Sequence, residues 1–179
     1  MHIFWILYIF LVIQRLAELV VARRHTMQAF ADGGYEVGQD HYKWMVGTHV
    51  LFFLGLLIEV AGFRGGMGAW FPVWFAVFVA AQITRYWIIG TLGRYWNTRI
   101  IVVPGMQPVR TGPYRYLRHP NYVIVVVELL VIPLMFDAYV TSVGVSLLNA
   151  AVLRIRIRVE NKALMDITNQ TPSGEVTQM

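Results

Sequence analysis

MHIFWILYIFLVIQRLAELVV, residues 1–21, is apolar almost throughout, broken only by His2, Gln14, Arg15 and Glu18. At 1.5 Å of rise per residue, about 20 helical residues cross about 30 Å of hydrocarbon. The stretch therefore predicts a membrane span. A signal peptide would place Lys or Arg ahead of the apolar run, and none stands there. Working outward, further spans are expected over 45–63 and 69–92. A polar, basic segment follows, 93–121. Two shorter apolar stretches, 122–136 and 139–153, are separated only by Asp137 and Ala138, with Pro133 just before the break. They predict a tight helical hairpin. The expected fold class is all-α: a polytopic membrane protein with five transmembrane helices, the last two a short hairpin. One domain is expected over 1–166, followed by a flexible tail over 167–179, which is polar with Pro and Gly.

Composition agrees. Hydrophobic residues make up 57% of the 179 and charged residues only 14%, against about 25% charged in a soluble protein. The mean hydropathy is +0.54. A soluble core of this size could not hide so much apolar surface. That excludes a disordered or fibrous chain and argues against a soluble enzyme. There is no cysteine, so a disulfide scaffold, a thiolate zinc site and a catalytic thiol are excluded. The net charge of +5 would suggest a nucleic-acid partner in a soluble protein. Here the basic residues fall at the ends of spans, and no nucleic acid is expected.

Their distribution sets the orientation. The segments 23–44, 93–121 and 154 onward hold twelve Lys and Arg between them, whereas the segment 64–68 holds one and the hairpin tip none. The positive-inside rule then places the N-terminus outside and the basic segments in the cytoplasm. The stretch LRIRIRVE, 153–160, alternates with period two and by periodicity alone reads as a strand. Because it continues from a span and runs on into NKALMD, a helix is expected.

Five charged residues fall inside spans: Arg15, Glu18, Glu59, Arg85 and Glu128. Each costs at least about 2.5 kcal/mol at a helix centre unless it faces the protein interior or a partner. Glu18 is expected to snorkel towards Arg23 and Arg24, and it can also pair with Arg15 three residues away. Glu59 is expected to pair with Arg64. Glu128 lies in the middle of VIVVVELLVIPL, 123–134, with no local basic partner. A functional role or a polar contact to another helix is expected, and Arg85 is the candidate partner.

The chemistry is expected in 104–122, PGMQPVRTGPYRYLRHPNY. Gly105 and Gly112-Pro113 mark turns, and Pro120 biases His119 towards an extended backbone. A sharply turned basic loop suits an anionic or aromatic ligand, or phosphate head groups at a membrane surface; composition does not decide between them. No second His lies at a metal-ligand spacing from His119, so no metal is expected. Neither a Rossmann glycine fingerprint nor a phosphate-binding loop is present.

GPYRYLRHPNY, 112–122, resembles the signature of the isoprenylcysteine carboxyl methyltransferase family, integral-membrane enzymes that use S-adenosylmethionine. The Arg-His-Pro-x-Tyr core matches at Arg118, His119, Pro120 and Tyr122. A second family element, an Arg followed by Glu and Leu on the last helix, matches at Arg156, Glu160 and Leu164. RYWNTRIIVVPG, 94–105, is similar to a small bacterial branch resembling enzymes that methylate alkylpyrone products of type III polyketide synthases. The resemblance covers 94–164. Two departures stand out: Asn161 replaces a frequent second Glu, and ITNQTPSGEVTQM replaces an aromatic tail.

The resemblance implies S-adenosylmethionine as cofactor, with S-adenosylhomocysteine as product, in a cytoplasmic pocket between the loop and the helix carrying Glu160. It implies cofactor contacts from Tyr114, Leu117, Arg118, His119, Pro120, Tyr122, Glu128 and Glu160, and catalytic roles for Arg156 and Glu160. The implied partner is a lipophilic small molecule that enters sideways between spans, among membrane lipids. Phospholipid methyltransferases are similar in the same region, so N-methylation is the alternative chemistry. A lipid-binding protein without enzymatic activity is the other alternative. Methyl transfer needs an in-line nucleophile and a dry site more than covalent help. A carboxylate or an acidic enol needs no general base, and an arginine suffices to orient it. The residue supply therefore favours an acidic oxygen over an amine.

Overall fold

The computed structural model describes residues 1–63 and 66–170, with only the backbone described over 166–170. Helix α1, His2–Ala31, has 30 residues and is about 45 Å long. It outruns the bilayer core, so Arg23 and Arg24 ride on the helix itself. Strand β1, Tyr35–Val37, leads into α2, Gln39–Leu57, which ends in a π-helical turn, Ile58–Gly62. Helix α3, Phe71–Leu92, starts with Pro72 in its first turn, where a missing N–H costs nothing. Strand β2, Ile100–Val102, precedes a short 3-10 turn, Gly112–Arg115. Helix α4, Pro120–Leu134, and α5, Tyr139–Gln170, complete the described chain.

Among the described residues, four helices are long and apolar enough to cross a membrane: His2–Ala31, Gln39–Gly62, Phe71–Tyr95 and Tyr139–Met165. The expected count of five meets a difference at α4, whose 15 residues reach only about 22 Å. The last helix is also not short. Leu153–Glu160 continues it without a break, so α5 runs for 32 residues. The helical reading of LRIRIRVE therefore holds over the alternating pattern. Helices α4 and α5 are antiparallel neighbours, turned at Met135–Ala138, where the Ala138 N–H donates to the Pro133 carbonyl at 3.0 Å. Any tail beyond Gln170 lies outside the described residues.

An all-α description needs one correction. β1 and β2 pair antiparallel, Tyr35 opposite Val102 and Val37 opposite Ile100. Three-residue strands are too short for period-two alternation to register in sequence. The pair matters because it ties the two basic segments, 23–44 and 93–121, to the same end of the bundle. Arg99 reinforces it, donating to Glu36 at 2.8 Å and lying over the Tyr42 ring at 4.6 Å.

The main core gathers Phe4, Phe52, Leu56, Phe78, Leu129 and Phe136 at the other end. Outward faces carry exposed Ile6, Ile83, Val140 and Leu147, as a lipid-facing surface requires. Glu59 accepts from the N–H groups of Val140 and Thr141, at 3.0 and 2.7 Å, and from the Thr141 hydroxyl at 2.6 Å. It is the N-terminal cap of α5, satisfying donors that a helix leaves open. The expected partner Arg64 lies outside the described residues.

Four of the five in-span charges, Arg15, Glu18, Arg85 and Glu128, form one cluster. Arg85, 1% exposed, donates through Nε to Glu128 Oε1 at 2.7 Å and through Nη2 to Glu128 Oε2. Its Nη1 reaches both Glu18 oxygens at 3.2 Å. Arg15 donates to Glu18 at 2.7 Å and approaches Glu128 at 3.4 Å. Gln82 donates to Glu128 at 3.0 Å and accepts from Gln14 at 2.6 Å. Two arginines and two glutamates on α1, α3 and α4 thus sum to zero charge, the arrangement that makes burial tolerable. The Arg85–Glu128 and Arg15–Glu18 pairings are as expected. The snorkelling of Glu18 is corrected: it turns inward, because α1 continues as helix beyond it and Arg85 waits across the interface.

Candidate functional site

Gly112 opens the site loop with φ +54, a conformation that favours glycine. A Cβ there would also meet Thr91 Oγ1 at 2.6 Å. The turn Gly112–Arg115 then brings Tyr114 against the end of α3, and Pro120 starts α4. His119 sits immediately before that helix, with φ −130 and ψ 59; it avoids the helical region that a following proline disfavours without being fully extended.

This loop and α5 meet. His119 Nε2 lies 3.0 Å from Asn161 Oδ1, and His119 Nδ1 lies 3.9 Å from Glu160 Oε2. The His119 ring stacks on Tyr122, centroids 5.2 Å apart and planes at 16°. The Tyr122 hydroxyl donates to Glu160 and accepts from Arg156 Nε at 2.7 Å. Arg156 Nη2 donates to the Thr98 carbonyl at 2.9 Å. Its Nη1 donates to Met45 Sδ at 3.3 Å and to no other described residue, and a thioether is a weak acceptor. Burial, with the Glu160 carboxylate nearby, pushes the Tyr114 hydroxyl above the usual phenol range. It stays neutral and able to donate.

Two cavities flank these residues. One, about 180 Å³, lies between β2, the loop and α5; Tyr95, Ile100, Val102, Tyr114, His119 and Glu160 are among its walls. It adjoins a wider basin at the surface containing Arg110, Arg115, Arg118 and Asn161. The other cavity, about 380 Å³, is mostly apolar and runs between α1 and α2, past Val12, Leu16, Leu19, Val46, Val50 and Leu54. Trp96, Asn97, Asn121, Tyr122 and Arg156 line both. They form a seam between a polar pocket and an apolar one.

Of the residues singled out in the sequence, Tyr114, Arg118, His119, Tyr122, Arg156 and Glu160 come together around the polar pocket. Pro120 is buried behind it as the first residue of α4. Leu117 is half-exposed and lines neither cavity. Glu128 is separate: it lies six residues into α4 beyond Tyr122 and is occupied by Arg85, Arg15 and Gln82. Sequence reasoning missed Trp96, Asn97 and Asn121 on the seam, and Asn149 on the apolar cavity. Asn121 stands inside the His-Pro-Asn-Tyr run, and Asn149 interrupts an apolar span. Either could have been flagged by polarity.

Whether the pocket suits S-adenosylmethionine can be judged from its donor set. Glu160 offers a carboxylate for hydroxyl or ammonium groups, Arg118 a cation for a carboxylate, and Ile100, Val102 and Tyr114 flat apolar contact for a base. Trp96 Nε1 and Asn121 Oδ1 are buried there with no hydrogen-bond partner among the described residues, and buried polar atoms are rarely left so without a ligand or water. The residues fit.

The chain is 44% identical over 163 residues to "Uncharacterized protein YpbQ" of Bacillus subtilis (strain 168), covering 91% of this chain and 97% of that one. It is 24% identical over 151 residues to an uncharacterized protein of Haemophilus influenzae, covering 84% and 88%. No solved structure matches the chain significantly. The family model for isoprenylcysteine carboxyl methyltransferases matches residues 74–166, which takes in most of α3, β2, the site loop, α4 and α5 up to the end of its described side chains. The chain belongs to the isoprenylcysteine carboxyl methyltransferase (ICMT) family, a family of membrane methyltransferases.

Proposed function

We propose that this protein is an S-adenosylmethionine-dependent O-methyltransferase acting on the acidic oxygen of a lipophilic molecule: a carboxylate or an enol, as in an alkylpyrone. The observation that carries the reading is the seam. Arg156, Tyr122 and Glu160 are joined by hydrogen bonds on a wall that faces a polar pocket on one side and an apolar cavity on the other. When bound, S-adenosylmethionine supplies a sulfonium-borne methyl group to a nucleophile and leaves as S-adenosylhomocysteine.

The chain's own residues do the rest. Tyr114, Arg118, His119 and Glu160 hold the cofactor in the polar pocket. Glu160 is positioned by Tyr122, and His119 by Asn161, so the Asn161 departure from the family pattern keeps a partner for the histidine. The apolar walls of α1 and α2 take the lipophilic body, which enters sideways from the bilayer. Arg156 Nη1 exchanges its weak thioether contact for the substrate's anionic oxygen, a charge-assisted contact of about twice the strength of a neutral one. No base is required, because an acidic oxygen arrives ionised. The same guanidinium disfavours an ammonium group at the seam, which argues against phosphatidylethanolamine. The basic end of the bundle faces the cytoplasm by the positive-inside rule, with the N-terminus outside.

The test is labelled methyl transfer from S-adenosylmethionine by the purified protein in micelles, offered an alkylpyrone, a long-chain fatty acid and phosphatidylethanolamine separately. Label is expected in the pyrone or the acid. Label in phosphatidylethanolamine would transfer the reading to N-methylation, and label in none of them would overturn it.

A further inference from the structure

The apolar cavity is not apolar throughout: Arg15, Glu18 and Arg85 of the charge cluster border it, and so does an amide outside that cluster. Asn149 on α5 lines the cavity and is 1% exposed, yet neither its Nδ2 nor its Oδ1 has a hydrogen-bond partner among the described residues. Leaving a buried amide unsatisfied costs about 1–3 kcal/mol, and a leucine there would pack at no such cost. Two contacts fix what lies opposite. Gly55 of α2 faces Thr141 of α5, and Met45 faces Arg156. The helices run antiparallel, so Asn149, about midway between Thr141 and Arg156, falls near the level of His49, which lies between Met45 and Gly55.

His49 lines the same cavity. Its Nδ1 lies 2.9 Å from the Met45 carbonyl. A carbonyl can only accept, so Nδ1 carries the proton and Nε2 keeps its lone pair. The two side chains together offer the cavity one donor group, the Asn149 NH2 with its two N–H, and two acceptor atoms, Asn149 Oδ1 and His49 Nε2. A ketone or ether could use only the donor. A hydroxyl uses both kinds, accepting from Asn149 and donating to either acceptor. Asn149 precedes Arg156 by seven residues, about 10 Å along a helix, so this group sits well away from the seam.

We propose that Asn149 and His49 form a second polar station in the lipophilic cavity, which binds a hydroxyl group carried part-way along the substrate's apolar body. The placement relative to the methyl acceptor rests on the function proposed above; the station itself does not. The enzyme would then select hydroxylated chains over plain ones, with Arg156 gripping the acidic head and Asn149 the mid-chain oxygen.

The experiment measures binding without cofactor. Purified protein in nanodiscs is titrated with a fatty acid bearing a mid-chain hydroxyl, and with the unsubstituted acid of the same length, reading quenching of intrinsic tryptophan fluorescence. Wild type is expected to prefer the hydroxy acid by roughly tenfold, about one net hydrogen bond. Asn149→Leu is expected to abolish that preference while melting no lower than wild type, because it removes an unsatisfied amide. His49→Phe is expected to reduce the preference only partly. Equal affinity of wild type for the two acids would overturn the proposal and assign the amide to cavity water. So would a preference that survives Asn149→Leu. A preference found in a protein that transfers no methyl group would uphold the station and sink the methyltransferase reading; methyl transfer without a preference would do the reverse.

Discussion

Arg85→Met should break the middle of the bundle, and its cost can be worked from the cluster. The Arg85 side chain is 2% exposed and its two main partners, Glu18 and Glu128, are 7% and 4% exposed. Removing the guanidinium takes away two bonds to Glu128 and two to Glu18. Of the cluster's two cations Arg15 then remains for two carboxylates, reaching Glu128 only at 3.4 Å, with the neutral Gln82 still donating to Glu128. Breaking a buried pair by removing one partner costs about 3–5 kcal/mol, a large share of a total stability of about 5–15 kcal/mol. The charge-balanced double variant, Arg85→Met with Glu128→Leu, leaves the Arg15–Glu18 pair at 2.7 Å intact. It should recover most of that loss. Equilibrium unfolding of the purified proteins in mixed detergent micelles, analysed as a double-mutant cycle, measures both. An Arg85→Met variant destabilised by less than about 1 kcal/mol, against the 3–5 expected for an orphaned buried charge, would refute the reasoning. So would a double variant less stable than the single.

Arg156→Ala should leave S-adenosylhomocysteine affinity nearly unchanged, since Glu160 and His119 remain, but lower kcat by about a hundredfold or more, as loss of an oriented charge contact does; calorimetry and steady-state rates separate the two. Glu59→Ala should cost about 1–2 kcal/mol by leaving the first N–H groups of α5 uncapped, visible as a lower melting temperature with unaltered cofactor affinity. Gly112→Ala forces a side chain into positive φ and against Thr91; it should cost more than about 1 kcal/mol and weaken cofactor binding, because the same turn places Tyr114.

Several features were legible in the sequence because the bilayer imposes simple rules. Runs of apolar residues located the four long helices, and the polar loop stood out by its prolines and arginines. The pairing of Arg85 with Glu128 could be guessed, since neither had another affordable partner. Other features were hidden for physical reasons. Helix α4 is hydrophobic enough to read as a span, but its reach is set by where Pro120 starts it and where Asp137, at φ 55, turns the chain. The strands β1 and β2 are held by tertiary pairing, which three residues cannot advertise. Glu18 pointed towards Arg23 by proximity in sequence, yet a helix places residues three or four apart together and leaves the rest to packing partners. The seam joins residues from β2's approach, α4 and α5, so no local pattern could reveal that Trp96, Asn121 and Arg156 share a wall.

The function proposed above requires the pocket walled by His119, Tyr114 and Glu160 to hold S-adenosylmethionine. Isothermal titration of S-adenosylhomocysteine into the purified protein tests it most directly, with His119→Ala and Glu160→Gln alongside. One saturable site per chain, weakened in both variants while Arg24→Ala on the far stretch of α1 binds like wild type, is the predicted result. No saturable binding, or binding indifferent to His119 and Glu160, would contradict it.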